Sequence, residues 1–127
     1  MLADTKAFSG FAVDDIDAAK RFYAETLGLE VSVLDEEHGL ITIKVTGGDE
    51  IFVYAKPDHA PANFTLLNFE VGDIDATVED LSARGVEFER YDGFDQDEKG
   101  IARGPGPMIA WFKDPAGNTL SVLQQPG

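Results

Sequence analysis

The chain has 127 residues, 43 % apolar and 27 % charged, with ten Lys or Arg against 24 Asp or Glu, a formal net charge of −14 and no cysteine. One domain of this length hides roughly two thirds of the surface its unfolded chain exposes, so two half-domains sharing a core fit and two independent domains do not. The charge disfavours nucleic acid and anionic membranes, which are gripped by clustered Lys and Arg; the missing cysteine excludes disulfides, thiolate catalysis and zinc–sulfur sites; and no run approaches the about 20 apolar residues of a membrane span. The acidity either draws in a cationic ligand or serves solubility. Met1 to Lys6 lacks the apolar core of a signal peptide, so a cytoplasmic location is expected.

Residues 6–13 alternate as a strand, and Asp14 or Asp15 offers an N-cap to a helix with Ile16, Ala19, Phe22, Tyr23 and Leu27 on one face, stopped by Gly28. Strands follow at 29–34, 40–46 and 50–54, separated by turns at 35–39 and at Gly47-Gly48-Asp49. Residues 56–63, with Pro57 and Pro61, form a link. The order then repeats: a strand at 64–71, a helix capped by Gly72 or Asp73 with Ile74, Val78 and Leu81 inward, Gly85 ending it, and strands at 86–91, 108–112 and 118–123. Phe11-Ala12-Val13-Asp14-Asp15-Ile16-Asp17 returns as Phe69-Glu70-Val71-Gly72-Asp73-Ile74-Asp75 at an offset of 58 residues. The chain is thus read as α+β, one domain of two strand–helix–three-strand modules, about 6–55 and 64–124. The seam between paired repeats is a natural place for a ligand. Residues 92–107, rich in Gly, Pro and charge, interrupt the second module and are a candidate lid, with Tyr91, Phe94 and Arg103 placed to close over a bound molecule.

Arg21-Phe22-Tyr23 and Leu27-Gly28-Leu29 after the first acidic turn, the second Val71-Gly72-Asp73-Ile74, and the closing Asp114-Pro115-Ala116-Gly117-Asn118 together resemble the vicinal oxygen chelate proteins. That superfamily includes glyoxalase I, extradiol dioxygenases, fosfomycin-resistance enzymes and bleomycin-resistance proteins. The resemblance covers nearly the whole chain, and it implies two βαβββ modules whose curved sheets form a half-open barrel around a cleft. In the enzymes of the superfamily, the first and last strands of each module present His, Glu or Gln to one divalent metal. The matching positions here are Phe8, Phe52, Leu66 and Ser121, which offer a metal one weak neutral oxygen. No metal and no cofactor are therefore expected.

The two histidines, His38 and His59, lie in a turn and in the link and read as exposed loop residues. Gly104-Pro105-Gly106-Pro107 lacks the lysine and following helix of a phosphate loop. Strand alternation places Gly10 and Ala12 beside Phe8, Glu50 and Tyr54 beside Phe52, Asn68 and Glu70 beside Leu66, and Thr119 and Leu123 beside Ser121. The opposite set, including Val13, Val53, Phe69 and Leu120, is apolar and suits packing under helices. The candidate binding residues are Phe8, Phe52, Tyr54, Leu66, Asn68, Glu70, Trp111 and Ser121. Phe8, Phe52 and Leu66 alternatively fill the former metal position as core, and Trp111 is either a stacking surface or core.

The expected function is metal-independent binding or sequestration of a small organic molecule, flat or partly aromatic and neutral to cationic, by a homodimer that takes neither nucleic acid nor membrane as partner. The alternatives are an enzyme of the same superfamily using Glu70, as a partly buried general base, or a loop residue, and a metal-dependent member with an unrecognised site.

Overall fold

The structure, a computed structural model, describes residues 1–48 and 50–127, so Asp49 of the expected Gly47-Gly48-Asp49 turn lies outside the described residues. In chain order come β1 (Gly10–Val13), α1 (Ile16–Arg21) running on into a π-helical turn (Phe22–Thr26), β2 (Glu30–Asp35), β3 (Leu40–Lys44) and β4 (Ile51–Ala55). Then come β5 (Thr65–Glu70), α2 (Ile74–Ala83), β6 (Met108–Lys113) and β7 (Thr119–Gln124). The chain divides into two compact units, Met1–Ala60 and Pro61–Gly127, with the boundary inside the Pro-containing link.

The sequence repeat is a repeat of helix-end chemistry. Asp15 caps α1, its carboxylate accepting from the amides of Asp17 and Ala18 at 3.0 and 3.1 Å. Asp73, at the matching position, caps α2 by accepting from the Ala76 amide at 3.1 Å. Each aspartate satisfies amides that have no partner inside the helix. Both helices end on a glycine of positive φ, Gly28 at 73° and Gly85 at 93°. After α2 the Gly85 amide donates to the Ser82 carbonyl and the Val86 amide to the Leu81 carbonyl, a Schellman closure that also brings two buried side chains together. After the π-helical turn the corresponding bond runs from the Leu29 amide to the Tyr23 carbonyl, one residue wider because the π turn carries an extra residue.

The first sheet has the order β1-β4-β3-β2, with β1 parallel to β4 and the other neighbours antiparallel. The second has the order β5-β7-β6, with β5 parallel to β7 and β6 antiparallel to it. The two follow one plan, except that the second lacks a counterpart to β2. The strand expected at residues 86–91 does not form: toward β6 the segment shows a bridge, Phe88 to Phe112, and a backbone bond from the Glu89 amide to the Trp111 carbonyl at 2.7 Å. The cause is Gln96. Its Oε1 accepts from the Tyr91 amide at 2.8 Å and its Nε2 donates to the carbonyls of Glu89 and Gly100 at 2.9 and 2.8 Å. A side chain takes up backbone groups that a ladder would otherwise pair.

The apolar face of each sheet packs against the helix of its own module. In the first, Val13, Ile41, Ile43, Ile51 and Val53 are buried with Ala19 and Tyr23; in the second, Ala110, Phe112, Leu120 and Val122 are buried with Ile74, Val78 and Leu81. Burying an aliphatic side chain of this size contributes about 1.5–3 kcal/mol, so these faces define the register: a slip by one residue would turn every one of them outward. The opposite faces carry the candidate site residues.

Candidate functional site

On the outward face of the second sheet, Thr65, Thr119 and Lys113 lie opposite one another across β5, β7 and β6, and Asn68, Ser121 and Trp111 form the next row. The Ser121 hydroxyl is fully buried and donates to Asn68 Oδ1 at 2.5 Å. The register shifts between Thr65 and Leu67, so Leu66 has no residue opposite it and Thr65 faces Thr119. Strand alternation alone does not reveal such a bulge, in which an extra residue is left unpaired.

Beside these rows is a cavity of about 540 Å³ built wholly from the second unit. It is lined by Trp111, Lys113, Thr65 and Thr119 of the sheet, by Pro61, Ala62 and Asn63 of the link with Phe64 after them, by Tyr91 and Phe94, and by Gly117 at the end given by the closing turn. Tyr91 and Phe94 pack on Trp111 with ring centroids 5.4 and 5.0 Å away, and on each other at 6.5 Å. The ring planes are tilted or nearly perpendicular, the arrangement aromatic quadrupoles favour.

The closing turn shapes that end of the cavity. Asp114, 4 % exposed, accepts from the amides of Ala116 and Asn118 through Oδ1, at 3.0 and 2.8 Å, and from the Asn118 side-chain amide through Oδ2. Gly117 has φ 87°, and a Cβ there would meet Pro61 Cγ at 3.2 Å. The Asp-Pro-Ala-Gly-Asn motif therefore seats the link against the turn at a place only glycine fits.

Residues 92–107 are fastened rather than free. Ile101 is fully buried, and Ala102 exchanges backbone bonds with Ile109 at 2.8 and 3.2 Å. Asp97 accepts from the amides of Lys99 and Ile101, both at 2.9 Å, and pairs with Arg103 Nε at 2.8 Å. Arg103 also pairs with Asp75 on α2, and Lys99 with Asp75 and Glu79. The hydrogen bond from Arg103 holds the Asp75 carboxyl below the usual range, against a smaller opposing effect of burial. At Asp97 burial acts upward and is the largest single influence, but Arg103 and the two amides together outweigh it and leave the carboxyl lowered. Lys99 is raised by its hydrogen bond to Glu79, and Arg103 by its hydrogen bonds to Asp75 and Asp97. Arg103 thus ties the segment to α2, while Tyr91 and Phe94 of the expected lid trio reach the cavity.

Of the eight candidate residues, Trp111 lines this cavity, whereas Asn68, Glu70 and Ser121 lie outside its lining. Glu70 is exposed instead of partly buried as expected. In the first module Phe8 stacks on Phe52 with centroids 4.7 Å apart, and the pair lines a separate hollow of about 300 Å³ with Lys6 and Glu50. Phe8 precedes β1 instead of lying in it. Tyr54 is 44 % exposed and lies opposite Ala12 and Leu40. Neither Phe8 with Phe52 nor Leu66 with the hydrogen-bonded Ser121 presents the charged or imidazole donors that a divalent ion needs. Among the described residues no three His, Cys, Asp or Glu side chains come together as a metal site. His38 bonds Asp35 through Nδ1 at 2.8 Å, and the His38 amide and ring together lower the Asp35 carboxyl. His59, expected exposed, is half-buried, with Nε2 lacking a hydrogen-bond partner among the described residues.

Lys113, Thr65 and the link wall went unnoticed in the sequence. Lys113 was within reach of it, being two residues beyond Trp111 on the same strand face.

Two capped-helix modules of one plan, with an aromatic cavity on the outward face of the second sheet, define an α+β protein of the paired-module kind. The chain belongs to the Glyoxalase/Bleomycin resistance protein/Dioxygenase superfamily, whose family model matches residues 7–122. Its fold is similar to that of TnmS3, an antibiotic binding protein from Streptomyces sp. CB03234, at 26 % identity and TM-score 0.73 over 97 % of this chain and 98 % of that one. A glyoxalase/bleomycin resistance protein from the same Streptomyces is similar at 27 % identity and TM-score 0.66, over 93 % of this chain and 100 % of that one. A lactoylglutathione lyase from Agrobacterium tumefaciens shares the fold at 22 % identity and TM-score 0.65, over 95 % and 93 % of the two chains. No curated protein matches the sequence. No helix among the described residues is long and apolar enough to cross a membrane.

Proposed function

We propose that this chain binds a small, flat organic molecule without a metal, in the cavity lined by Tyr91, Phe94 and Trp111, and that it acts by holding that molecule. The observation that carries the reading is three mutually packed aromatic rings lining a cavity large enough for a drug-sized ligand. The likeness to TnmS3, which binds an antibiotic, supports it. Calorimetric titration with planar aromatic compounds tests it: micromolar binding that Trp111→Ala and Phe94→Ala each weaken about tenfold or more supports the cavity, and binding indifferent to both contradicts it. The metal-free part of the reading is tested by elemental analysis after desalting, where zinc, iron, nickel or manganese near one equivalent per chain would overturn it.

The same reading includes a homodimer. Phe8, Tyr54 and Phe64 are large apolar side chains left exposed on the single chain, and twofold association is the commonest way for small proteins to cover such surface. Light scattering at micromolar concentration should give the dimer mass, and a monomer mass rejects it.

A further inference from the structure

The polar lining of the cavity runs against the charge of the whole molecule. The chain carries 24 Asp and Glu, yet among the described residues none lines the cavity. The charged group that does line it, alone among the described residues, is Lys113. Around it stand neutral donors, the hydroxyls of Thr65 and Thr119 in the same cross-strand row and the amide of Asn63 on the link. The partner Lys113 now has, Glu89 Oε1, sits at 3.6 Å, beyond hydrogen-bond range, and both side chains remain partly exposed. Such a surface pair is weak and easily exchanged. A ligand anion entering beside aromatic walls would meet the ammonium in less water, where a charge-assisted bond is about twice as strong as a neutral one.

Resting on the binding function proposed above, we infer that the cavity selects an acidic aromatic molecule: a flat ring system against Trp111 bearing a carboxylate, phenolate or sulfonate that Lys113 receives. The spacing fits. Residues two apart on a strand are roughly 6.6 Å apart, and neighbouring strands about 4.8 Å, so a two- or three-ring ligand on Trp111 carries an acidic substituent to Lys113 and leaves the Thr119 and Thr65 hydroxyls within its reach. Carboxylates farther away than the Debye length of about 8 Å are screened at physiological salt; the near one is Glu89, 3.6 Å from Lys113, and the ligand's anion takes its place. The ligand is thereby neutral to anionic, instead of the neutral to cationic one expected from Glu70, which lies outside the lining.

Three matched probes test the inference by calorimetry at 0.15 M salt: 2-naphthoate, 2-naphthamide and 2-naphthylmethylammonium. Naphthoate should bind about tenfold tighter than the amide, and the ammonium compound weakest. Lys113→Met should bring naphthoate down to the amide's affinity, Lys113→Arg should keep the preference, and Phe94→Ala should weaken all three alike. Equal binding of the three probes, or tightest binding of the ammonium compound, overturns the charge selection and leaves the cavity standing as a site. Failure of all three to bind overturns the cavity and the charge selection together.

Discussion

The two modules start from the same instructions and part company at one edge. In the first, β3 is flanked by β2 along its whole length, from Glu30 opposite Lys44 to Asp35 opposite Leu40. In the second, the corresponding edge of β6 is divided between two short partners, Ala102 at Ile109 and residues 88–89 at Trp111 and Phe112. The first arrangement keeps β3 paired throughout, with one register shift between Val33 and Asp35. The second frees residues 90–94 from the ladder, and Tyr91 and Phe94 fold over Trp111 instead. The aromatic cavity thus lies where a repeat departs from its template, and the departing segment is held by the hydrogen bonds of Gln96 and by the ion pairs of Arg103 and Lys99.

The largest effect on this contrast should come from Phe112→Ala, which removes a fully buried ring that also packs edge-on against Phe88 at 5.7 Å. A loss of about 3–5 kcal/mol is expected in urea denaturation. A loss below about 1 kcal/mol would mean that the edge of the second sheet is not core. Next comes Gln96→Ala. It leaves one amide and two carbonyls without their partner and should cost about 1–3 kcal/mol for each such group that water cannot reach, so near the lower figure if water enters. It should also weaken ligand binding; unchanged affinity would show that Tyr91 and Phe94 hold their places without Gln96. Gly117→Ala should cost about 1–2 kcal/mol, because φ 87° suits glycine alone and the added methyl meets Pro61. A neutral result would show that the link does not rest on the turn.

The smallest effect concerns pH. Asp75 and Asp97 have carboxyls lowered from the ordinary 3.8, so the stabilisation they lend is complete above that value and is lost as pH falls through their lower folded values. Lys99 and Arg103 are raised by their carboxylate partners, so their share is complete at neutral pH and is lost only in strong alkali, above 10.5 for Lys99. Protection of residues 97–103 against amide exchange, taken relative to the intrinsic rate at each pH, should therefore fall as pH drops below 3.8 while that of β3 and β4 in the first module persists. Simultaneous loss in both modules would erase the distinction.

Much of the plan is visible in the amino-acid string because it rests on local chemistry. Asp15 and Asp73 cap, Gly28 and Gly85 stop, and the apolar alternation of Val13, Val53, Leu120 and Val122 faces each helix. Less local features are hidden. Residues 86–91 have the pattern of a strand, and only a glutamine five to seven positions downstream, brought back by a folded loop, diverts their backbone bonds. The bulge at Leu66 depends on how β5 meets β7. Trp111 was legible as a candidate, but its partners from the link and from residues 91–94 converge through tertiary structure, which no periodicity encodes. Strand alternation places Thr119 beside Ser121, while Thr65 is hidden by the bulge after it and Lys113 by its place at the end of β6.

The central claim, that the second module and not the first holds the ligand, is tested most directly by titrating 2-naphthoate into isotope-labelled protein and following amide and indole shifts. Shifts should concentrate at Tyr91, Phe94, Lys113 and Thr119 and at the Trp111 indole N–H. Shifts centred on Phe8, Glu50 and Phe52, or none at saturating probe, would contradict it.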